Sequence, residues 1–99
     1  MILSLKNVGT QDIFNDKNTR RVRRICPEQL WKLARRKLDQ LDSAGKTEDL
    51  LIPPGNKLEV LTGNCKDQHS IRINRQYRIC FVWSAKGPSE VEIVDYHKG

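Results

Sequence analysis

Two apolar runs joined by a short polar link constrain this chain more than any other feature. Ile71 and Ile73 precede Asn74-Arg75-Gln76, and Tyr77, Ile79, Phe81 and Trp83 follow at every second position. Such alternation is the signature of a strand with one buried face. A loop of three residues, 74–76, sets Ile73 against Tyr77 and Ile71 against Ile79, which keeps one face apolar throughout. A shorter loop would set Ile73 against Arg78 and spoil that face. The favoured register therefore places Arg72 opposite Arg78 on the other face, projecting away from the helices. Like charges directly opposed destabilise a sheet. An anion between them removes the conflict; the bland alternative is two solvated arginines splaying apart.

The remaining elements surround this hairpin. Residues 2–6 suggest a short first strand, and Thr10 to Asp16 a brief helix with Ile13 and Phe14 turned inward. Lys17 to Arg24 holds five basic residues in eight and reads as a loop or a fraying helical segment. Leu30, Ala34, Leu38 and Leu41 recur at helical spacing, with Trp31 widening the stripe. A long helix is therefore expected over 27–44, with Pro27 and Glu28 at its first turn and Gly45 as the stop. Thr47 to Leu50 reads as a capped helical turn ended by Pro53-Pro54-Gly55-Asn56. Further strands are expected at 57–62, 68–73, 77–83 and 90–96, with Ser84 to Ser89, containing Gly87-Pro88, as the last connection.

Ninety-nine residues fit one domain, 1–99, with a single modest core. The net charge of +6 favours a polyanionic partner such as nucleic acid. Cys26, Cys65 and Cys80 form neither a disulfide framework nor a metal-spaced pair, so a reducing cytoplasm is the expected setting. Only two histidines, His69 and His97, are present, which argues against a structural zinc site. His69 reads as structural or exposed. The N-terminus lacks the charged and apolar regions of a signal peptide, and no apolar run approaches membrane-spanning length, so no membrane partner is expected.

The chain ends with Val91, Ile93 and Val94 leading into Asp95-Tyr96-His97, where a carboxylate, a phenol and an imidazole offer an acceptor, a donor and a group that titrates near neutral pH. On residues alone, His97 is as easily a solvated tail residue, Asp95 a cap on strand-end backbone groups, and Glu59 a surface strand residue.

Pro53-Pro54-Gly55-Asn56-Lys57-Leu58-Glu59, Gly63, Ser70-Ile71-Arg72-Ile73-Asn74, Gln76-Tyr77-Arg78-Ile79-Cys80-Phe81 and Val91 to His97 together resemble the HigB-type toxins of the RelE superfamily, nearest the branch containing the GraT toxin. The resemblance is strong over 53–97 and looser before it. It implies an α+β, RelE-like fold, with an N-terminal strand and helices packed on one face of a mostly antiparallel sheet. It also implies a ribosome-dependent, metal-independent endoribonuclease that needs no cofactor and cuts mRNA in the ribosomal A site. The partners it implies are the ribosome with its mRNA and a HigA-like helix-turn-helix antitoxin, through which alone operator DNA is reached.

By position, Arg78 matches the family's phosphate-binding arginine, and Asp95, Tyr96 and His97 its C-terminal catalytic cluster. The better-known His-Pro-Leu-Lys-Gly stretch reads here Glu59-Val60-Leu61-Thr62-Gly63, so the histidine becomes Glu59 and the lysine becomes Thr62. The expected catalytic set is Arg78, His97, Tyr96, Asp95 and Glu59, with Arg72 assisting at the phosphate. Arg20, Arg21, Arg23, Arg24, Arg35, Arg36 and Lys37 are the expected RNA-binding cations; a solvated helix face or an antitoxin-binding surface is the alternative for the last three. The rival function is a non-catalytic basic protein that binds RNA or ribosomes, or helps a partner repress.

Overall fold

A computed structural model describes residues 1–60 and 68–95. Helix α1 (Val8–Phe14) begins where the Asn7 carboxamide accepts the Thr10 amide at 2.8 Å. Helix α2 (Arg20–Ile25) is capped by Thr19, whose Oγ1 accepts from the Val22 amide and donates to the Asp12 carboxylate at 2.8 Å. Much of the basic tract is thus helical, organised by that cap and by one buried apolar residue, Val22. Gly9 permits the α1–α2 approach, because a Cβ there would sit 2.3 Å from Ile25 Cγ1. Thr19→Ala removes both bonds and is expected to cost about 1–2 kcal/mol, read as a lowered urea midpoint.

The expected long helix opens with a 3₁₀ turn, Glu28–Leu30, and continues as α3 (Trp31–Ser43). Ala34, Leu38 and Leu41 are buried, with Leu30 and Trp31 packed against the same core. The helix stops differently from expectation. Ala44 turns extended, and Gly45 donates its amide to the Asp49 carboxylate, so no left-handed glycine ends the helix. Two more 3₁₀ turns follow, Thr47–Leu51 and Pro54–Asn56.

Strands β1 (Glu59–Val60), β2 (Gln68–Arg72), β3 (Tyr77–Ser84) and β4 (Gly87–Asp95) form an antiparallel sheet in the order β1-β2-β3-β4. The hairpin register is the expected one: Ile71 pairs with Ile79 and Arg72 with Arg78, while the Ile73 amide bonds the Tyr77 carbonyl. Strand β4 starts earlier than expected. Gly87 takes φ 139°, pairs with Ser84 across a two-residue turn, and leads into Pro88 opposite Trp83. Proline is tolerated there because its nitrogen, on the same side as the carbonyl that accepts the Leu3 amide at 2.8 Å, faces the N-terminal segment, so no bond of the β3–β4 ladder is lost. That segment runs parallel to β4 through a single bridge, Leu5 to Val91, rather than forming a full strand.

The α+β architecture is complete with the core between the helices and one sheet face. Ile13, Val22, Leu38, Leu41, Leu50, Ile71, Ile79, Phe81, Val91 and Ile93 meet there. Among the described residues, no helix is long and apolar enough to cross a membrane.

Cys26 lies in this core, and burial pushes its thiol pKa from 9.0 up to about 11. Burial, then the Asp95 carboxylate and Cys26, also raise the Tyr77 phenol. Both groups are neutral when protonated, so the unfolded chain releases these protons first. Stability is fully present below about pH 9 and falls as the pH rises toward about 11. Urea midpoints measured at those two limits should fall, and the fall should be smaller in Cys26→Ala.

Candidate active site

Strand pairing decides which side chains share the sheet face turned away from the helices. Glu59, Ser70, Cys80 and Glu92 form one cross-strand row, and Arg72, Arg78 and Val94 form the next. Among the described residues, this face carries a cluster of hydrogen bonds and an ion pair around one arginine.

Arg78 is its centre and is only 7% exposed. Its Nε donates to Ser70 Oγ at 2.8 Å, and its Nη2 donates to the carbonyls of Lys57 at 2.5 Å and Ser70 at 3.3 Å. Its Nη1 lies 3.3 Å from Glu59 Oε1. The sequence leaves two readings open for this side chain, an anion held between Arg72 and Arg78 or two arginines splayed into solvent. The chain instead folds acceptors around the guanidinium, because a buried cation is tolerated only when hydrogen-bonded and paired. Those acceptors also offset the repulsion from Arg72, which stays half-buried on the same face.

The two residues that complete this pocket of acceptors were not singled out from sequence. Lys57 takes a left-handed conformation, φ 44° and ψ 57°, just after a 3₁₀ turn, and its carbonyl faces Arg78. Ser70 was legible in principle, since it lies two residues before Arg72 on the same strand face. Glu59 joins the cluster as expected, with its side chain 55% exposed beside the buried guanidinium.

Asp95 is placed differently. It pairs with Tyr77 at the end of β4 and so shares the helix-side face of Val91 and Ile93, opposite the Arg78 face. Its carboxylate accepts from Gln76 Nε2 at 3.2 Å. Tyr96 and His97 lie outside the described residues, as do Thr62, Gly63 and Cys65. His69 stacks on Phe81 with ring centroids 5.8 Å apart, and by strand alternation it belongs to the helix-side face rather than to the Arg78 cluster.

The basic helical residues form a separate surface. Arg20, Arg21, Arg23 and Arg24 of α2 and Arg35 and Arg36 of α3 are exposed on the helical layer, behind the sheet from Arg78. Arg21 approaches Asp12 at 3.7 Å and Arg35 approaches Asp16 at 3.3 Å. Lys37 is half-buried and donates to the Asn56 carboxamide instead of facing solvent. Burial, then the neighbouring Arg36 charge, lowers its ammonium pKa. A cavity of about 660 Å³ beside α3, lined by Ile13, Val22, Trp31 and charges of both signs, is also on this side. Arg78 lies by contrast on the sheet face away from the helices, buried there together with Ser70 and Cys80.

A small basic α+β domain with a buried, acceptor-gripped arginine on the sheet face away from its helices has the form of a RelE-like toxin. Residues 3–97 match the family described as RelE-like toxin of type II toxin–antitoxin system HigB, and the chain belongs to that HigB-like family. It is 38% identical over 98 residues to Toxin HigB-1 of Vibrio cholerae, covering 99% of both chains. An uncharacterized protein of Haemophilus influenzae is 40% identical over 55 residues, 56% of this chain and 54% of its own. Toxins of this family are generally endoribonucleases that cleave mRNA, and a type II toxin has an antitoxin partner.

Proposed function

We propose that this protein is a ribosome-dependent mRNA endonuclease that blocks translation by metal-independent cleavage in the A site. It acts in the cytoplasm, and a HigA-like helix-turn-helix antitoxin neutralises it and carries it to operator DNA. The observation that supports this reading most is Arg78, held by hydrogen bonds on the sheet face away from the helices, opposite Arg72 and against Glu59.

Cleavage of RNA without a metal needs a proton taken from the ribose 2′-hydroxyl, charge stabilised on the phosphate, and a proton given to the departing 5′ oxygen. Arg78 stabilises the phosphate, and its pre-set hydrogen bonds avoid reorganisation during reaction. Arg72 adds a second cation on the same face. Glu59, whose carboxylate lies 3.3 Å from Arg78 Nη1, is the candidate base. His97 gives or shuttles the second proton, and Tyr96 stacks on a base or bonds the phosphate. Asp95, bonded to Gln76 at the end of β4, fixes the strand from which Tyr96 and His97 continue. The arginines of α2 and α3 are assigned to ribosomal RNA, as phosphate contacts that position without reading sequence.

The test compares naked mRNA with programmed ribosomes, using wild type and His97→Ala. Cleavage confined to ribosome-bound mRNA and lowered by His97→Ala is expected. Salt-sensitive ribosome binding without scission would favour a non-catalytic binding protein. Equal cutting of naked RNA would remove the ribosome from the mechanism.

A further inference from the structure

The loop that grips Arg78 is itself held by a buried amide. Asn56 has no exposed surface, yet its side chain makes three hydrogen bonds. Its Nδ2 donates to the Leu50 carbonyl and to Gln40 Oε1, each at 3.1 Å, and its Oδ1 accepts from Lys37 Nζ. Gln40 also donates to the Ile52 carbonyl at 2.9 Å. Lys37 and Gln40 are three residues apart on α3 and so share one helical face. That face therefore fastens the loop on both sides of its prolines.

The residue after Asn56 is Lys57, whose left-handed backbone is disfavoured for a side chain of that size and persists only where surrounding contacts over-determine it. Its carbonyl is the one that accepts Arg78 Nη2. A continuous series of bonds thus runs from α3 through Asn56 and the Lys57 backbone to the guanidinium.

We infer that Asn56, together with Lys37 and Gln40, is a positioning residue for Arg78: it fixes the Lys57 carbonyl that sets the orientation of the guanidinium on the sheet face away from the helices. This rests on the phosphate role proposed above for Arg78. It also gives Lys37 a task other than contacting RNA. A purely space-filling residue needs no three polar partners, whereas a misplacement near 1 Å at a catalytic group costs about 100-fold in rate.

The experiment uses the full chain with Asn56→Ala and Lys37→Met, the second retaining the half-buried lysine stem should the first fail to fold. Two readouts are taken on protein shown to be folded by circular dichroism. One is the Arg78 Nε–Hε signal in nitrogen-labelled protein, with its solvent-exchange protection; the other is single-turnover mRNA cleavage on programmed ribosomes. Both variants should shift that signal and weaken its protection. Both should slow cleavage about 10- to 100-fold at saturating ribosomes while half-saturation stays within about twofold. Arg35→Ala and Arg36→Ala, if those residues touch RNA, should instead raise the half-saturation concentration. An unchanged Arg78 signal in folded Lys37→Met would overturn the inference, as would a shifted signal with unchanged cleavage where Arg78→Ala is inactive. If Arg78→Ala itself cleaves normally, the reading of Arg78 fails, while a shifted signal still supports the Asn56–Arg78 connection.

Discussion

Arg78→Ala is expected to slow mRNA cleavage by about 100- to 1000-fold, the loss that follows removal of one pre-set donor to a developing oxyanion. Bonds to Ser70 and the Lys57 carbonyl orient the guanidinium before substrate arrives, while its Nη1 lies 3.3 Å from the exposed Glu59 carboxylate. The same burial means that the substitution also reaches the fold. Ser70 Oγ and the Lys57 carbonyl lose their partner, which is expected to cost about 1–3 kcal/mol for each group left unsatisfied. Rates must therefore be taken on the folded fraction, measured by urea titration beside the cleavage assay. Arg78→Lys separates the two effects. It keeps the positive charge but not the planar fork, so it should recover stability more than activity. Full activity in Arg78→Ala would remove Arg78 from the chemistry.

Phe81→Ala should produce the largest loss of stability. Phe81 is fully buried in the long strand β3, stacked on His69 and edge-on to Trp83 at 6.3 Å. It packs where the helices meet the sheet, so the surroundings cannot collapse into the space it leaves. Truncations of this kind cost about 3–5 kcal/mol, against a total near 5–15 kcal/mol for a domain. Thermal unfolding monitored by circular dichroism should show a Tm lower by more than about 10 °C. Val60→Ala, at a residue 64% exposed, is the contrasting control and should stay within about 0.5 kcal/mol of wild type. Equal effects would mean that Phe81 does not anchor this core.

These two residues also show which parts of the structure can be read from the chain. Phe81 and Arg78 were legible because strand alternation and a three-residue turn leave one register that buries the isoleucines, and that register dictates both faces. The α3 stripe was legible for the same reason, with helical spacing in place of alternation. The grip on Arg78 was not. It depends on Lys57 entering a left-handed conformation and on Asn56 finding partners sixteen and nineteen residues earlier on α3, contacts that no local pattern encodes. Of Asp95, Tyr96 and His97, which the family resemblance groups as one cluster, only Asp95 lies within the described residues, and its pairing with Tyr77 puts it on the side away from Arg78. Pro88 concealed the start of β4, since proline ordinarily breaks a ladder, and only the N-terminal segment alongside reveals why it is accepted. In the basic tract the sequence leaves loop and helix both open, and a threonine cap and one buried valine select the helix.

The most direct measurement maps the 5′ ends of mRNA recovered from ribosomes stalled with an empty A site, after incubation with protein that co-sediments with them. The expected result is new ends within the A-site codon, present with wild type and absent with Arg78→Ala. Intact mRNA on ribosomes that carry the bound wild-type protein would contradict the assignment of this sheet face as a nuclease site.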